Sequence, residues 1–198
     1  MDPSITLLLI GINVVISLMA LYVDPRFLEA GILRPYLVKH DKRWYQILSS
    51  GFLHANFGHL FVNMITLYFF GSVMERTLGP FSFLLLYFFS LILSSLPSVV
   101  RHRNNPNYAT LGASGAVEGV LFAFIFIYPF ESIYLFLIPI PIPALLFGVL
   151  FIAYSIYESK QDRGQINHEA HIAGALSGMA YMLIFVPNAA GIFIGNFM

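Results

Sequence analysis

Two short motifs, far apart in the sequence, carry residue types that could do covalent chemistry. The first is a serine between small residues, in Leu111-Gly112-Ala113-Ser114-Gly115-Ala116, and the second is His171 near the start of an apolar run. A serine becomes a useful nucleophile when an adjacent base takes its proton, and a neutral imidazole is the usual base. If the fold brings Ser114 and His171 together, they can act as nucleophile and general base.

The serine opens an apolar run that stops before Pro129, which predicts a helix from Ser114 to Tyr128. At about 1.5 Å per residue this helix is about 22 Å long, shorter than a hydrocarbon core of about 30 Å. If the helix ends at one membrane face, its N-terminus lies inside the membrane, where non-helical backbone must be buried in protein or line a wet cavity. Ser114 is therefore predicted at the floor of a water-filled cavity. The alternative is that the small residues only allow two helices to pack closely.

Ionisable and amide side chains inside a membrane are costly and indicate function by default. They occur at three places, namely His54, His59 and Asn63 on the second predicted span, Ser114 and Glu118 on the fourth, and His168, Glu169 and His171 at the start of the sixth. The pairs Gly115/Gly119 and Gly174/Gly178 form small-residue surfaces that allow close backbone contact. That contact would bring His171 against Ser114. The Ser114 N–H and the side chains of His59 and Asn63 could then stabilise an oxyanion.

The composition of the chain is that of a polytopic membrane protein. It has 198 residues, of which 58% are hydrophobic and 10% charged, whereas soluble domains carry about 25% charged residues. Its mean hydropathy is +0.78. The net charge of zero and the absence of long basic runs argue against a nucleic-acid partner. The absence of cysteine excludes disulfides, thiolate metal sites and a cysteine nucleophile.

Apolar runs predict an all-α bundle of six transmembrane helices with a short central fourth helix, forming one domain over residues 1–198. The approximate spans are 5–23, 56–74, 81–100, 114–128, 144–157 and 168–186. The first span lacks a basic region and a cleavage site, so it is interpreted as a retained span rather than a signal peptide. The long connection after it has apolar residues at helical spacing, which predicts short interfacial helices. The proline repeat at 138–143 cannot lie inside a helix, so the fifth helix is predicted to begin near Ala144.

Taken together, these motifs resemble the rhomboid family of intramembrane serine proteases, in its bacterial type with a minimal six-helix core. The matching residues are His54, His59 and Asn63 in one segment, then Gly71, Glu75 and Gly79, the Gly112-Ala113-Ser114-Gly115 motif, and His171 in Ala170-His171-Ile172-Ala173-Gly174. The resemblance covers nearly the whole chain.

The resemblance implies a catalytic dyad of Ser114 as nucleophile and His171 as general base. It also implies that His59, Asn63 and the backbone around Leu111 and Ser114 are oxyanion donors. Residues with structural roles near the site would be His54, Glu75, Gly112, Gly115, Gly174 and Gly178. The family needs no cofactor and no metal, and it cleaves transmembrane segments of other membrane proteins near their ends. The implied partners are transmembrane protein substrates and the lipid bilayer, and the implied location is the bacterial inner (plasma) membrane.

Two departures from the family pattern are informative. The family often has Trp-Arg in the first connection, whereas Tyr45 follows Trp44 here, so an ion pair from that arginine to Glu75 is not expected. The family often has an aromatic residue four positions after the serine, and here that position is Glu118. Glu118 could be a neutral acid, could accept a hydrogen bond from His171 and form a triad, or could hold His171 protonated and slow the enzyme. The triad is the working hypothesis.

Three alternatives to a serine protease follow from other features of the chain. A zinc protease is suggested by His168-Glu169-Ala170-His171, but zincins space their histidines at i and i+4, and no third ligand is obvious. An inactive rhomboid-like protein that binds membrane clients would normally have lost Ser114 or His171, and Glu118 is what favours it. A transporter would share the proline breaks and intramembrane polar groups, but the chain has no inverted repeat.

The orientation in the membrane is predicted differently by two arguments. All of the 10 Lys and Arg residues except Arg76 lie in the connections after the first, third and fifth spans. The positive-inside rule therefore places those connections in the cytoplasm and the N-terminus outside. The resemblance implies a cytoplasmic N-terminus and an active site open to the outside. We follow the resemblance, because structure in the long first connection can hold its charges.

Overall fold

The computed structural model describes residues 4–135, 138–161 and 167–198, and these are mostly helical. The first half contains α1 (Ile5–Leu18) with a π-helical turn (Met19–Val23), α2 (Arg26–Gly31), α3 (Pro35–Asp41), α4 (Gln46–Ser49) with a 3₁₀ turn (Ser50–Phe52), α5 (Phe57–Thr66), a π-helical turn (Leu67–Gly71), α6 (Ser72–Leu78) and α7 (Pro80–His102). The second half contains α8 (Ser114–Ile127), β1 (Ser132–Leu135), β2 (Ile138–Pro143), α9 (Ala144–Gln161), α10 (His168–Phe185) and α11 (Ala189–Gly195).

Several helices are long and apolar enough to cross a membrane. Within the described part of the chain these are Ile5–Val23, Phe57–Leu78 and Pro80–His102, with mean hydropathies of 2.4, 1.4 and 2.1. Helices α10 and α11 pass the same test only as a pair, which is bent by 110°. Large apolar side chains are exposed along these helices, as expected for surfaces in contact with lipid. The predicted polytopic helical membrane fold is therefore confirmed, whereas the number of six spans stays a prediction.

Helix α8 is the short helix at the centre of the bundle. It has 14 residues, so it is about 21 Å long and shorter than a hydrocarbon core. Every residue from Gly115 to Phe126 except Glu118 is buried. A helix that is apolar on all sides belongs in the interior of a protein, and α8 is accordingly surrounded by α7, α9 and α10.

Two paired β-strands lie between α8 and α9, and the expectation of a purely helical fold did not include them. Strands β1 and β2 are antiparallel, with Ser132 opposite Pro143 and Ile133 opposite Ile142. Proline is tolerated here because a two-stranded ribbon consists only of edge strands. The proline repeat therefore forms a strand, and α9 begins at Ala144, directly after it.

The connection between the first two spans contains the short helices α2, α3 and α4. Leu33, between α2 and α3, forms a small apolar cluster with Val38 of α3, Ile47 of α4 and Val99 of α7. Leu33 also exchanges two backbone hydrogen bonds with Thr110, each of 3.0 Å. These contacts fix the connection against the segment that leads into Ser114.

Glu75 of α6 holds the start of α1. Its carboxylate accepts hydrogen bonds from Ser4 Oγ (2.8 Å), the N–H groups of Ile5 (2.7 Å) and Thr6 (2.9 Å), and Thr6 Oγ1 (2.6 Å). The first N–H groups of a helix lack intrahelical partners, and a carboxylate at that end is favourable. The partners of Glu75 are thus the first turn of α1, in place of the arginine that the family pattern would supply.

Candidate active site

Ser114 and His171 lie within hydrogen-bond distance of each other. Ser114 is the first residue of α8, and His171 lies in the first turn of α10. The Nε2 atom of His171 is 2.9 Å from the Oγ atom of Ser114. A nucleophile and a base at this distance can transfer a proton as the hydroxyl attacks a carbonyl carbon.

Glycines bring the two helices close enough for this contact. A Cβ atom added to Gly174 would overlap the carbonyl oxygen of Gly115 and lie 2.9 Å from its Cα. A Cβ atom on Gly178 would lie 2.8 Å from the Cα of Gly119 and overlap its carbonyl oxygen. The two small-residue surfaces predicted from the sequence therefore face each other, and their contact fixes the distance between α8 and α10.

Helix α10 begins at a cap that also reaches the serine segment. The Asn167 side-chain oxygen accepts a hydrogen bond from the N–H of Ala170 at 3.1 Å. Its amide nitrogen donates to Ser98 Oγ of α7 (2.7 Å) and to Thr110 Oγ1 (3.2 Å). Asn167 is not among the residues that the motifs single out, although asparagine directly before a helix is a common N-cap.

The ring of His171 is held between aromatic neighbours. Phe151 of α9 stacks on it, with ring centroids 6.1 Å apart and an angle of 20° between the planes. His168 approaches it edge-on, with centroids 5.9 Å apart. The aromatic support that the family draws from the position of Glu118 thus comes from α9. The sequence carries no signal for this contact, because Phe151 lies among many other aromatic residues.

His59 lies beside the serine. Gly112 has a φ of 125°, a value at which residues with a side chain are strained. A Cβ atom added to Gly112 would lie 2.7 Å from His59 Cε1, 3.0 Å from His59 Nε2 and 3.8 Å from Ser114 Oγ. The imidazole and the serine hydroxyl therefore flank the space above Gly112, where a substrate carbonyl oxygen could lie.

The backbone on either side of Leu111 is fixed by other segments. Thr110 is paired with Leu33, and the N–H of Gly112 donates to the carbonyl oxygen of Ser50 at 3.0 Å. Leu111 itself is partly buried between these two anchors. The loop before α8 is thus held rigidly, which an oxyanion-binding backbone requires.

Asn63, by contrast, has a hydrogen-bond partner of its own. Its amide nitrogen donates to the backbone oxygen of His59, one turn earlier in α5, at 2.9 Å. A side-chain amide has two N–H donors, so the second N–H remains for an oxyanion. One of the two donors of Asn63 is therefore already used within α5.

His54 lies behind His59 and is fully buried. Its Nδ1 atom is 2.8 Å from Ser17 Oγ, and Ser17 Oγ donates to the carbonyl oxygen of Phe52 at 2.9 Å. The rings of His54 and His59 meet edge to face with centroids 5.0 Å apart. His54 thus connects α1 to the site and supports the ring of His59.

The predicted hydrogen bond between Glu118 and His171 is not formed. The polar contact of His171 is with Ser114, and within the described residues Oε2 of Glu118 is buried without any hydrogen-bond partner. Glu118 and Ser114 are four residues apart on one helix, but this spacing sets only the helix face and not the direction of the side chain. The triad hypothesis therefore needs a different geometry from the one observed.

No three His, Asp or Glu side chains lie close enough to hold a metal ion in the part of the chain that the structure describes. His168 and His171, the residues of the zinc alternative, meet edge-on with ring centroids 5.9 Å apart. His171 is hydrogen-bonded to Ser114 instead.

Comparisons with a family profile and with known proteins all identify the same family. Residues 41–188 match the family profile described as Rhomboid domain. The chain is 30% identical to "RHOMBOID-like protein 12, mitochondrial" of Arabidopsis thaliana over 67% of this chain and 44% of that protein. It is 31% identical to "Rhomboid-like protein 11, chloroplastic" of the same plant over 89% of this chain and 66% of that protein. It is 32% identical to "Putative rhomboid protease YdcA" of Bacillus subtilis over 73% of this chain and 69% of that protein.

Two further facts bear on how far these similarities reach. The chain spans less than two thirds of the length of both plant proteins, 44% and 66%. Another plant relative, 35% identical over 43% of this chain and 24% of its own length, carries the name "Inactive RHOMBOID-like protein 8".

Proposed function

The chain belongs to the rhomboid family, and on that premise we propose that it is an intramembrane serine endopeptidase that cleaves transmembrane segments of other membrane proteins. The observation that carries the proposal is the 2.9 Å distance between Ser114 Oγ and His171 Nε2. This pair lies at the N-terminus of a helix too short to span a hydrocarbon core, where a membrane-embedded peptide bond could reach it.

The first step is attack of Ser114 Oγ on the carbonyl carbon of the scissile peptide bond. A C–O bond forms while the hydroxyl proton passes to Nε2 of His171. The carbonyl oxygen becomes negatively charged and needs hydrogen-bond donors. The N–H of Ser114, which has no intrahelical partner at the helix start, and the ring of His59 are placed to donate. The positive end of the α8 dipole adds to this stabilisation.

The second step releases the product amine. The C–N bond breaks, and the amine nitrogen takes the proton from His171 Nε2. A water molecule then attacks the acyl-serine while His171 accepts a proton from it. Cleavage of the ester bond returns the proton to Ser114 Oγ and leaves a carboxylic acid as the second product. The same imidazole thus acts as base and then as acid in each half of the reaction.

The proposal also includes the membrane in which the protein lies. The relatives' names place two of them in mitochondria and chloroplasts, and a third is from Bacillus. For this chain we propose the bacterial inner (plasma) membrane, with transmembrane proteins as substrates and no cofactor.

A fluorophosphonate probe tests the nucleophile directly, because it forms a covalent bond only with an activated serine. The purified protein in detergent should be labelled, and Ser114→Ala should abolish labelling and cleavage of a transmembrane substrate. Ser95→Ala is a matched control, since Ser95 lies on α7 and donates only to Leu91 O. Labelling that persists in Ser114→Ala would disprove the assignment.

The second candidate is an inactive rhomboid-like protein that binds membrane clients. Glu118 favours it, because an acidic side chain on the serine's helix face departs from the family pattern. This candidate predicts no labelling of the wild-type protein under conditions in which a client peptide still binds. The probe experiment therefore separates the two functions.

A further inference from the structure

Among the described residues, two of the buried oxygen atoms without a hydrogen-bond partner lie on neighbouring helices. These are Oε2 of Glu118 on α8 and Oγ of Ser155 on α9. Ser155 is fully buried. A buried polar atom left unpaired costs free energy, and most such atoms in native proteins are paired. Two unpaired atoms on adjacent helices therefore call for a common explanation.

Contacts farther along the two helices give the register in which α8 packs against α9. A Cβ atom added to Gly148 would lie 3.1 Å from Ile125 Cδ1 and 3.4 Å from Phe122 Cε1. Phe122 in turn packs on Phe151, with ring centroids 5.9 Å apart. Residues nearer the start of α8 therefore contact residues nearer the end of α9, so the two helices are antiparallel.

The same register extends by one helical turn to the unpaired atoms. Glu118 lies four residues before Phe122, and Ser155 lies four residues after Phe151. Residues four apart share a helix face. Glu118 and Ser155 therefore stand at facing positions of the α8–α9 interface, one turn beyond the contact of the two phenylalanines.

The two side chains are chemically complementary. A serine hydroxyl has one donor and two acceptor sites, and a carboxyl group can accept in either protonation state and donate when protonated. Packed helix axes are about 8–10 Å apart, a distance at which a glutamate side chain and a hydroxyl that do not meet directly can be joined by one water molecule. Buried water in such places commonly joins polar groups that would otherwise be unpaired.

We propose that one water molecule joins Glu118 and Ser155 by hydrogen bonds, and that this link fixes the position of α9 beside His171. Phe151, which stacks on His171, lies on the same face of α9 as Ser155. A bond at Ser155 therefore fixes α9 along and about its axis, and so fixes the position of Phe151 on the ring of His171. Glu118 is then a positioning residue that acts on the base through α9, whereas the triad hypothesis placed it in direct contact.

The hydrogen bond itself does not depend on proteolysis, whereas its effect on His171 rests on the proposed function. The titratable groups that α10 presents near this interface are His168 and His171, and His168 Nδ1 is also buried without a partner in the described residues. A bond from Glu118 to His168 in place of Ser155 is thus the competing arrangement. The test must separate the two.

Infrared difference spectroscopy tests the bond without any activity, in the Ser114→Ala background. Subtracting the Glu118→Gln spectrum identifies the carboxyl band of Glu118. We expect Ser155→Ala to shift this band and His168→Ala to leave it in place. A band that Ser155→Ala leaves unmoved overturns the proposal, and a band that only His168→Ala moves assigns the bond to His168.

A double-mutant cycle tests the consequence for catalysis. Glu118→Leu and Ser155→Ala should each lower kcat by about tenfold, and the double variant should lose no more than either one, as expected for directly coupled residues. Glu118→Gln keeps a donor and an acceptor, so it should retain most of the wild-type kcat that Glu118→Leu loses. Ser159→Ala is the matched control, because Ser159 donates to Ile156 O at 2.9 Å one turn farther along α9.

Losses that add in the double variant would overturn the positioning role. If the wild-type protein cleaved nothing, the proposed function would fail, and the infrared result would still decide whether the bond exists.

Discussion

Gly174 of α10 and Gly115 of α8 are in backbone contact, so that a methyl group on Gly174 would overlap the carbonyl oxygen of Gly115. This contact lies one turn from His171 on α10 and one residue from Ser114 on α8. The distance between the nucleophile and the base is therefore set by a position that has no side chain.

The first prediction follows from this contact. Gly174→Ala should push α10 away from α8 and lengthen the distance from Ser114 to His171. Overpacking costs about 1–3 kcal/mol of stability, and a displacement of about 1 Å at a reacting group can lower the rate by about 100-fold. Cleavage rate and unfolding midpoint should both fall. Gly11→Ala is the control, because a Cβ atom there meets no atom of the described residues within 4 Å. An equal loss in that variant would contradict the explanation.

The second prediction concerns the oxyanion donors. His59→Ala should lower kcat by about 10²–10³-fold, the usual effect of one lost donor. Asn63→Ala should lower it by less, because its amide already donates to the His59 carbonyl oxygen. Steady-state cleavage of a transmembrane substrate measures both, and exposed His40→Ala is the control. A larger loss in Asn63→Ala than in His59→Ala would reverse the assignment of the principal donor.

The third prediction separates the two roles of Asn167. Asn167→Ala removes the helix cap and should lower the free energy of unfolding by about 1 kcal/mol. Asn167→Asp keeps the oxygen that accepts from Ala170 but loses the amide donor to Ser98 and Thr110. We expect kcat to fall in both variants, because both lose the amide donor. Asn167→Asp should nevertheless regain the stability lost in Asn167→Ala, as measured by denaturation and cleavage in the same detergent. Full recovery of kcat would show that only the cap matters.

The fourth prediction is the orientation in the membrane. The Nζ atom of Lys39 donates to Asn104 Oδ1 at 2.7 Å, so the first and third connections lie on the same side. Arg34 pairs with Glu29 and Arg43 with Asp41, so positive charges of the first connection are partly neutralised within the fold. Since the wild-type chain has no cysteine, single cysteines give an unambiguous signal.

We expect Asn104→Cys to react with an impermeant maleimide in intact cells, and Arg76→Cys to react only after lysis. Arg76 is the matched probe because it follows the second span, on the opposite side. The reverse pattern of labelling would show that the positive-inside rule prevails and that the N-terminus faces outward.

Much of the fold could be predicted from local sequence. Helices in a membrane must satisfy their backbone hydrogen bonds internally, so long apolar runs mark them reliably, and the helical membrane fold and the family are confirmed. Proline at 139, 141 and 143 stops a helix by its own chemistry, and α9 begins directly after it. Whether the repeat would pair as a strand depended on a partner, β1, and no local signal distinguishes such a pairing from a loop.

The candidate site was likewise predictable from the sequence only in part. The types and spacing of Ser114, His171 and the facing glycines predicted a nucleophile beside a base, because small residues dictate which helix surfaces can meet. The directions of individual side chains were decided only by tertiary packing. Glu118 has the spacing for a contact with His171 but makes no hydrogen bond to it in the described residues. Phe151 stacks on His171 from another helix, and Asn167 joins the start of α10 to Ser98 and Thr110. Helical periodicity determines the face on which a residue lies, whereas neighbouring helices determine what that residue touches.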